Sequence, residues 1–208
     1  MARVRGLLTL CVLLAACAVL SAGCGDTSRK AEAAPAPRPH CLDRPGWQRL
    51  ANRIHAPVYC PGWLPDPLTG RIGAPDNNVD AVSRDRSYLE SWIWQDTDGP
   101  NLSGELHVIL RAYPGRTTIP ICRTGGADSQ NVPCFAQPEQ WVSANGIRAR
   151  LYTVNQDMDS WHLVLLWRRH GNLYTLSEHR AAPLTYDHVL RYLKRELASL
   201  VLIRPSAA

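Results

Sequence analysis

The sequence contains one phenylalanine, two methionines and only two lysines, set against 21 arginines. No run of five or more Lys or Arg residues occurs. The formal net charge of +5 falls to about +3 once Arg3 and Arg5 are set aside. Such a mild and scattered charge argues against nucleic acid as a partner. The excess of arginine, with frequent Ala and Pro, is typical of a GC-rich bacterial genome. We therefore interpret it as codon bias rather than as evidence for a binding surface.

The sequence also lacks the short motifs that carry well-known catalytic chemistry. It has no G-x-S-x-G, no H-E-x-x-H, no S-x-x-K and no Gly-rich phosphate loop. We therefore predict that the chain is not an enzyme and that it has no catalytic residue and no cofactor. The alternative is an envelope hydrolase whose site no motif reveals.

Histidines and acidic turns do not indicate a metal site. Four histidines lie on predicted elements without ligand spacing, and we expect most of them to be exposed or to make a single hydrogen bond: His107, His162, His179 and His188. Residues 96–101 lack the third acidic ligand and the distal Glu of a calcium loop, so they are interpreted as a hairpin turn. The sequence predicts no bound metal.

Only one long apolar run occurs, at residues 6–20, and it lies at the start of the chain. Arg3 and Arg5 precede it, and the small residues 21–23 follow it. This order is typical of a secretory signal, and the run is shorter than the roughly 20 apolar residues of a membrane-spanning helix. The sequence therefore predicts that residues 1–23 are a cleaved signal peptide.

The segment Leu20-Ser21-Ala22-Gly23-Cys24 resembles the lipobox of bacterial lipoproteins. The resemblance implies that the Cys24 thiol carries acyl chains, palmitate among them, and anchors the protein on the extracytoplasmic face of the cell membrane. Two or more acyl chains hold a protein stably on a bilayer. Ser21 stands where the lipobox usually has Leu, and Leu14-Ala15-Ala16-Cys17 is a second match. Acylation of Cys17 and an ordinary signal peptide cut near Ala22 therefore remain as alternatives.

Four cysteines remain after the signal segment and its lipid site. An even number of cysteines in an exported domain predicts disulfides. Of the three pairings available, we favour Cys41 with Cys60 and Cys122 with Cys134, because each pair brackets one local unit. A zinc site is the weaker alternative, since no C-x-x-C occurs and no His lies beside these cysteines at ligand spacing.

Composition divides the predicted mature chain into a tether and one domain. Residues 24–40 comprise the lipidated Cys24 and a stretch rich in Ala and Pro that has no aromatic residue and cannot bury enough surface to fold. Extended as polyproline II, this tether reaches roughly 50 Å. Residues 41–204 are predicted to form a single disulfide-bonded domain.

The hydrophobic pattern of this domain predicts an α+β fold in two layers. One amphipathic helix lies at residues 47–54, with Asp43 as its cap, and another at residues 185–200. The predicted strands are Val58–Cys60, Tyr88–Gln95, Glu105–Tyr113, Gln140–Ser143, Ile147–Val154, Trp161–Arg168 and Leu173–Glu178. Residues 66–86 are assigned no element. We expect an antiparallel meander of about six strands, with the N-terminal and C-terminal helices packed on it.

Four tryptophans fall on these strands: Trp92, Trp94, Trp161 and Trp167. The strand at residues 161–168 is apolar on both faces and so needs cover on both sides. The C-terminal helix covers one face. Loops and the N-terminal helix close the other, or the tryptophans line a groove for an apolar ligand. The second arrangement looks like the half-barrel lipoprotein carriers of bacterial envelopes.

The segments 57–65 and 167–174, with the Leu-rich terminal helix, also resemble uncharacterised extracytoplasmic domains of Gram-positive lipoproteins. That resemblance implies no activity. We expect a membrane-anchored, non-enzymatic binding or structural module of the cell envelope. Its expected partners are the membrane, through the acyl anchor, and an envelope protein or lipid. A lipoprotein that binds lipid or another hydrophobic ligand is the alternative.

Overall fold

The structure is a computed structural model that describes residues 39–95, 105–124, 129–156, 161–179 and 181–207. Within these ranges the chain forms two helices, α1 (Arg44–Ile54) and α2 (Tyr186–Ser199), and three sheets. The main sheet contains β2 (Asn77–Val82), β3 (Tyr88–Gln95), β4 (Glu105–Tyr113), β7 (Phe135–Ala144), β8 (Ile147–Asn155), β9 (His162–Arg169) and β10 (Asn172–His179). Two short antiparallel pairs complete the fold: β1 (Val58–Cys60) with β11 (Val201–Ile203), and β5 (Ile121–Arg123) with β6 (Asn131–Pro133). The α+β prediction is confirmed.

The order of strands in the main sheet is β2-β3-β4-β10-β9-β8-β7, and all neighbours are antiparallel. The predicted single meander of about six strands is therefore only partly correct. One meander runs from β2 to β4 and a second from β7 to β10. The chain crosses from β4 to the far edge between them, so the last strand of the second meander pairs with the last strand of the first.

Both helices begin at residues whose side chains satisfy free backbone amides. The Asp43 carboxylate accepts a hydrogen bond from the Gly46 amide at 3.1 Å, and Pro45 occupies the first turn of α1. The Thr185 hydroxyl caps α2 by accepting from the His188 amide. The predicted helices at residues 47–54 and 185–200 roughly match α1 and α2, and α1 begins three residues earlier than predicted. The chain leaves α2 at Leu200 directly into β11.

One face of the main sheet, the helix face, carries both helices. Trp47 of α1 packs against Trp92 and Tyr88 of β3, with ring centroids 6.0 and 6.1 Å apart. Leu193 and Leu197 of α2 are fully buried in the same hydrophobic core. The expectation that α1 closes the opposite face is therefore wrong. Strand β1, near the start of the domain, pairs with β11 at its end. Both strands contribute to the core on the helix face, so the two ends of the domain lie on that face.

The opposite face, the hairpin face, is covered in its middle by the β5–β6 hairpin. Six buried residues form a second, smaller core there: Cys134, Phe135, Tyr152, Val164, Leu166 and Leu173. Cys122 and Ile119 pack against this core from the hairpin. The double apolar character of β9 thus has two separate causes, the helices on one face and this hairpin on the other.

Two disulfides join Cys41 to Cys60 and Cys122 to Cys134, which is the pairing favoured from the sequence. The first ties the start of the domain to β1, and the second closes the β5–β6 hairpin. Cys17, Cys24 and the predicted signal and tether up to residue 38 lie outside the described residues. In the part of the chain that the structure describes, neither helix has the length and hydropathy needed to cross a membrane.

Candidate functional site

The hairpin face presents three different surfaces along its strands. The outward residues of β9 are His162, Val164, Leu166 and Arg168 in turn, because every second side chain of a strand points to the same face. A histidine cluster therefore lies at one end and a cationic surface at the other. The apolar contact with the β5–β6 hairpin separates them.

The cationic surface is built around Trp141, whose side chain is 51% exposed. Trp141 on β7 lies opposite Arg150 on β8. The guanidinium carbon of Arg148 lies 4.3 Å from the ring centroid of Trp141, and that of Arg150 lies 5.2 Å from it. Both distances are within the range of cation–π attraction. The tryptophan–arginine surface comprises these three residues and Arg168.

These residues line an open depression of about 390 Å³, to which Pro138 and Tyr152 also contribute. Arg150 donates to the Pro138 carbonyl at 3.2 Å, and Arg168 donates to the Thr117 carbonyl. Within the described residues, none of the three guanidinium groups forms an ion pair with a carboxylate. The surface therefore presents three positive charges beside an exposed indole ring.

The carboxylate of Glu139, two residues before Trp141, accepts a hydrogen bond from the Tyr186 hydroxyl of α2. This contact draws the acidic side chain toward the helix. The tryptophan–arginine surface thus keeps its positive charge despite a carboxylate on the same strand.

The histidine cluster lies at the other end of the hairpin face and is formed by three adjacent strands. His162 and His179 are direct partners across β9 and β10, with ring centroids 5.2 Å apart. His107 of β4 lies beside them, with its ring centroid 4.8 Å from that of His162 and 6.5 Å from that of His179. Each of the three rings makes one hydrogen bond, as expected for most of these histidines from the sequence. The sequence did not indicate that His162 is buried or that the three rings contact one another.

Hydrogen bonds connect this cluster to two serines and one carboxylate. Ser91 Oγ and His107 Nε2 are 2.7 Å apart, and Ser177 Oγ lies 3.2 Å from His162 Nδ1. His179 Nδ1 lies 2.7 Å from Glu105 Oε1, and His107 Nδ1 lies 3.8 Å from the same oxygen. Glu105 therefore lies between two imidazoles.

The electrostatics of the cluster favour the neutral form of two imidazoles, those of His107 and His162. Burial lowers the pKa of His107 to about 4. The charge of Glu105 raises this pKa, and interactions with His179 and Arg111 offset part of that increase. Burial lowers the pKa of His162 to about 2, with smaller contributions from His107 and His179. Burial alone raises the pKa of Glu105, but hydrogen bonds from Gln95 and His179 bring it below its usual value.

Within the described ranges, no group of three or more His, Cys, Asp or Glu side chains is arranged to hold a metal ion. In the histidine cluster, one nitrogen of each ring already faces Ser91, Ser177 or Glu105. The contacts from Ser91 to His107 and from His107 to Glu105 nevertheless resemble those of a nucleophile, a general base and a carboxylate that orients the base. Residues 96–101, the acidic turn weighed from the sequence as a calcium loop, lie outside the described residues, as do Asp157 and Asp159.

Comparison with protein-family models, curated protein sequences and solved structures finds no match for this chain. Its function is therefore inferred from the surfaces described above.

The four tryptophans singled out in the sequence do not form one ligand surface. Trp92 and Trp167 are buried in the core beneath the helices. Trp167 packs between Tyr59 and Tyr174, with ring centroids 5.4 and 5.6 Å apart. Trp94 is exposed near the end of β3, and Trp161 is exposed just before β9, outside the strand that the sequence predicted to begin there. The structure therefore does not bring these four residues together in one groove, because Trp92 and Trp167 belong to the core on the helix face.

Trp141 was not among the candidate residues. It is followed by the Asn145-Gly146 turn, so a hairpin register alone pairs residues 141–144 with residues 147–150. That register brings Trp141 close to Arg148 and Arg150. Because the arginines were attributed to codon bias, the placement of two of them beside a tryptophan in this hairpin was not recognised from the sequence.

Proposed function

We propose that this protein is an exported lipoprotein, held on the extracytoplasmic face of the cell membrane by acyl chains on Cys24. Its folded domain acts there as a non-enzymatic binding module. The tryptophan–arginine surface is the binding face. The tether of residues 24–40 sets how far the domain stands from the bilayer.

The observation that carries this proposal is the pair of disulfides, Cys41 with Cys60 and Cys122 with Cys134. Structural disulfides persist in oxidising compartments and are rare in the cytosol. They support export, which the N-terminal sequence predicts independently. The lipobox-like segment then supports retention at the membrane rather than release.

The exposed features of the domain favour binding over catalysis. Trp141 combines a half-exposed aromatic ring with three neighbouring arginines that form no ion pair with any carboxylate of the described residues. Exposed Trp and Arg side chains are the residue types that contribute most to binding interfaces. An apolar ligand is less well supported, since Trp92 and Trp167 are inside the core.

Metabolic labelling with an alkyne fatty acid tests the anchor. The wild-type protein is expected to take up the label, Cys24→Ala to lose it, and Cys17→Ala to keep it. If the label survives in Cys24→Ala and disappears in Cys17→Ala, the anchor residue is Cys17. An unlabelled wild-type protein refutes the lipoprotein assignment.

A second candidate function, an envelope hydrolase, is favoured by the chain of contacts from Ser91 through His107 to Glu105. Two observations weigh against it. Ser91 is only 1% exposed, and its strand is paired on both sides, with Val79 as its partner on β2 and Ile109 on β4. A fluorophosphonate probe that labels the wild type but not Ser91→Ala establishes the hydrolase, and the binding-module proposal predicts no Ser91-dependent label.

A further inference from the structure

The place where the tether enters the domain lies next to the tryptophan–arginine surface. Pro39, the first described residue, lines a depression together with Asn145, Ile147 and Arg169. Asn145 and Ile147 also line the neighbouring depression, which contains Arg148. The tether therefore reaches the domain beside the turn between β7 and β8. Arg148 lies on β8, two residues after Gly146 of this turn.

The attachment point is fixed relative to this surface. Cys41 is bonded to Cys60 of β1, and the Leu42 amide donates to the Pro61 carbonyl at 3.0 Å. Asn145 donates through its side chain to the Leu200 carbonyl at 2.7 Å, where α2 ends and β11 begins. The start of the domain, the β7–β8 turn and the last strand thus form one connected structure.

We propose that the tryptophan–arginine surface docks on an anionic phospholipid bilayer, the membrane in which the tether ends. The indole of Trp141 enters the headgroup region, and Arg148, Arg150 and Arg168 contact lipid phosphates. Tryptophan is enriched at membrane interfaces because its ring is apolar and its N–H is polar. Arginine presents a planar set of donors that matches phosphate oxygens. This inference rests on the proposed function only for the anchoring of the tether.

The magnitudes favour docking of a tethered domain. Each Lys or Arg close to an anionic membrane surface strengthens binding by about fivefold, the fold-change that corresponds to about 1 kcal/mol. The tether raises the local concentration of the surface at the bilayer, so a contact too weak to recruit a free domain can still orient an anchored one. Salt shortens the range of the attraction and is expected to release the domain.

The test uses the full acylated protein reconstituted into vesicles of phosphatidylcholine alone or of phosphatidylcholine with phosphatidylglycerol. Part of the phosphatidylcholine is brominated near the headgroup, so that it quenches a tryptophan that enters the interface. The Trp141 signal is the difference between wild type and Trp141→Phe. Docking predicts quenching of this signal only when phosphatidylglycerol is present and salt is low.

Single variants Arg148→Gln and Arg150→Gln are each expected to reduce the ratio of docked to free domain about fivefold, whereas Arg148→Lys retains docking. The matched control is Arg191→Gln with Lys194→Gln, which removes two exposed charges from α2 on the opposite face and leaves quenching unchanged. Equal thermal unfolding midpoints establish that the variants are folded.

Quenching that is independent of phosphatidylglycerol, or that survives both arginine variants, overturns the proposal. So does a Trp141 signal that responds to soluble polyphosphate and not to phosphatidylglycerol vesicles, because the partner is then a soluble polyanion. Flotation separates the two proposals. A protein that fails to float with neutral vesicles lacks the acyl anchor, yet arginine-dependent flotation with anionic vesicles still supports the docking surface.

Discussion

Glu178 of β10 and Glu196 of α2 are fully buried together in the layer between the main sheet and the helix. Among the described residues, neither carboxyl group has a hydrogen-bond partner. Burial raises the pKa of both groups, and the charge of Glu196 raises that of Glu178 further. Both side chains are therefore protonated at neutral pH, since two unpaired charges in this layer cost far more than two neutral acids.

This pair makes stability fall as pH rises. In the unfolded chain each carboxyl releases its proton above its ordinary pKa near 4.5, whereas the folded chain retains it. The free energy of unfolding is expected to decrease by up to about 1.4 kcal/mol per pH unit for each group above that point. Glu196→Gln is expected to lose one such contribution, so it gains stability over wild type at pH 8 and little at pH 5.

Urea denaturation across this pH range measures the effect, with the exposed Glu139→Gln as the matched control. A parallel pH profile for Glu196→Gln and wild type contradicts the buried neutral pair.

The histidine cluster has the opposite dependence on pH. His107 and His162 have a pKa of about 4 and about 2 in the folded chain, below the ordinary value of 6.5. Their stabilisation is complete above that value and is lost as pH falls below it, because the unfolded chain then binds more protons. Between pH 7 and pH 5 the loss is about 2 kcal/mol for each histidine.

His162→Asn keeps a side chain that can hydrogen-bond to Ser177 but does not titrate. Its free energy of unfolding is expected to decrease less than that of wild type between pH 7 and pH 5, by about 2 kcal/mol. The exposed His170→Asn serves as the control. If wild type and His162→Asn lose equal stability on acidification, His162 is not held neutral by the fold.

The histidine pair also shows how far the sequence determines this site. The turn at residues 170–171 makes His162 and His179 opposite partners, so extending the predicted strand Leu173–Glu178 by one residue gives that contact. His107 joins them only because β10 pairs with β4, a contact between strands separated by the whole second meander. No local pattern specifies that pairing, and the order of strands was therefore only partly predicted.

The sequence patterns missed β2, β5, β6 and β11, and the physical reasons are clear for two of these strands. Strand β2 is an edge strand with no buried residue, so it has no apolar face to indicate its period. Strand β11 has three residues and is defined by its pairing with β1, far away in the chain. The strands β3, β4, β8, β9 and β10 match the predicted strands within one residue at each end, because burial imposes a period on their own residues. Strand β7 is mostly exposed, and only its segment Gln140–Ser143 was predicted.

Tryptophan substitutions are expected to separate the core from the surface. Trp92→Ala leaves a large cavity beneath α1 and is expected to cost about 3–5 kcal/mol. Trp141→Ala and Trp161→Ala, at exposed positions, are expected to change stability by less than about 1 kcal/mol. Urea denaturation gives all three values. A small loss for Trp92→Ala indicates that the helix face is open and restores the tryptophan-lined groove.

Each disulfide is expected to contribute to stability mainly by restricting the unfolded chain. The two bridges join residues 19 and 12 positions apart, for which the chain-entropy model gives about 3 kcal/mol each. Replacing both cysteines of either bridge by serine is expected to lower the free energy of unfolding by about that amount. Peptide mapping without reduction is the check on pairing, and a peptide that links Cys41 to Cys122 or Cys134 contradicts the fold.

The proposed attachment of this domain to the membrane presupposes that the mature polypeptide begins at an acylated cysteine. Intact-mass analysis of protein purified from its own membranes tests this most directly. We predict a chain that lacks residues 1–23, begins at Cys24 and carries at least two acyl chains. A mass that corresponds to an unmodified amino terminus contradicts the lipoprotein assignment and leaves a freely secreted domain.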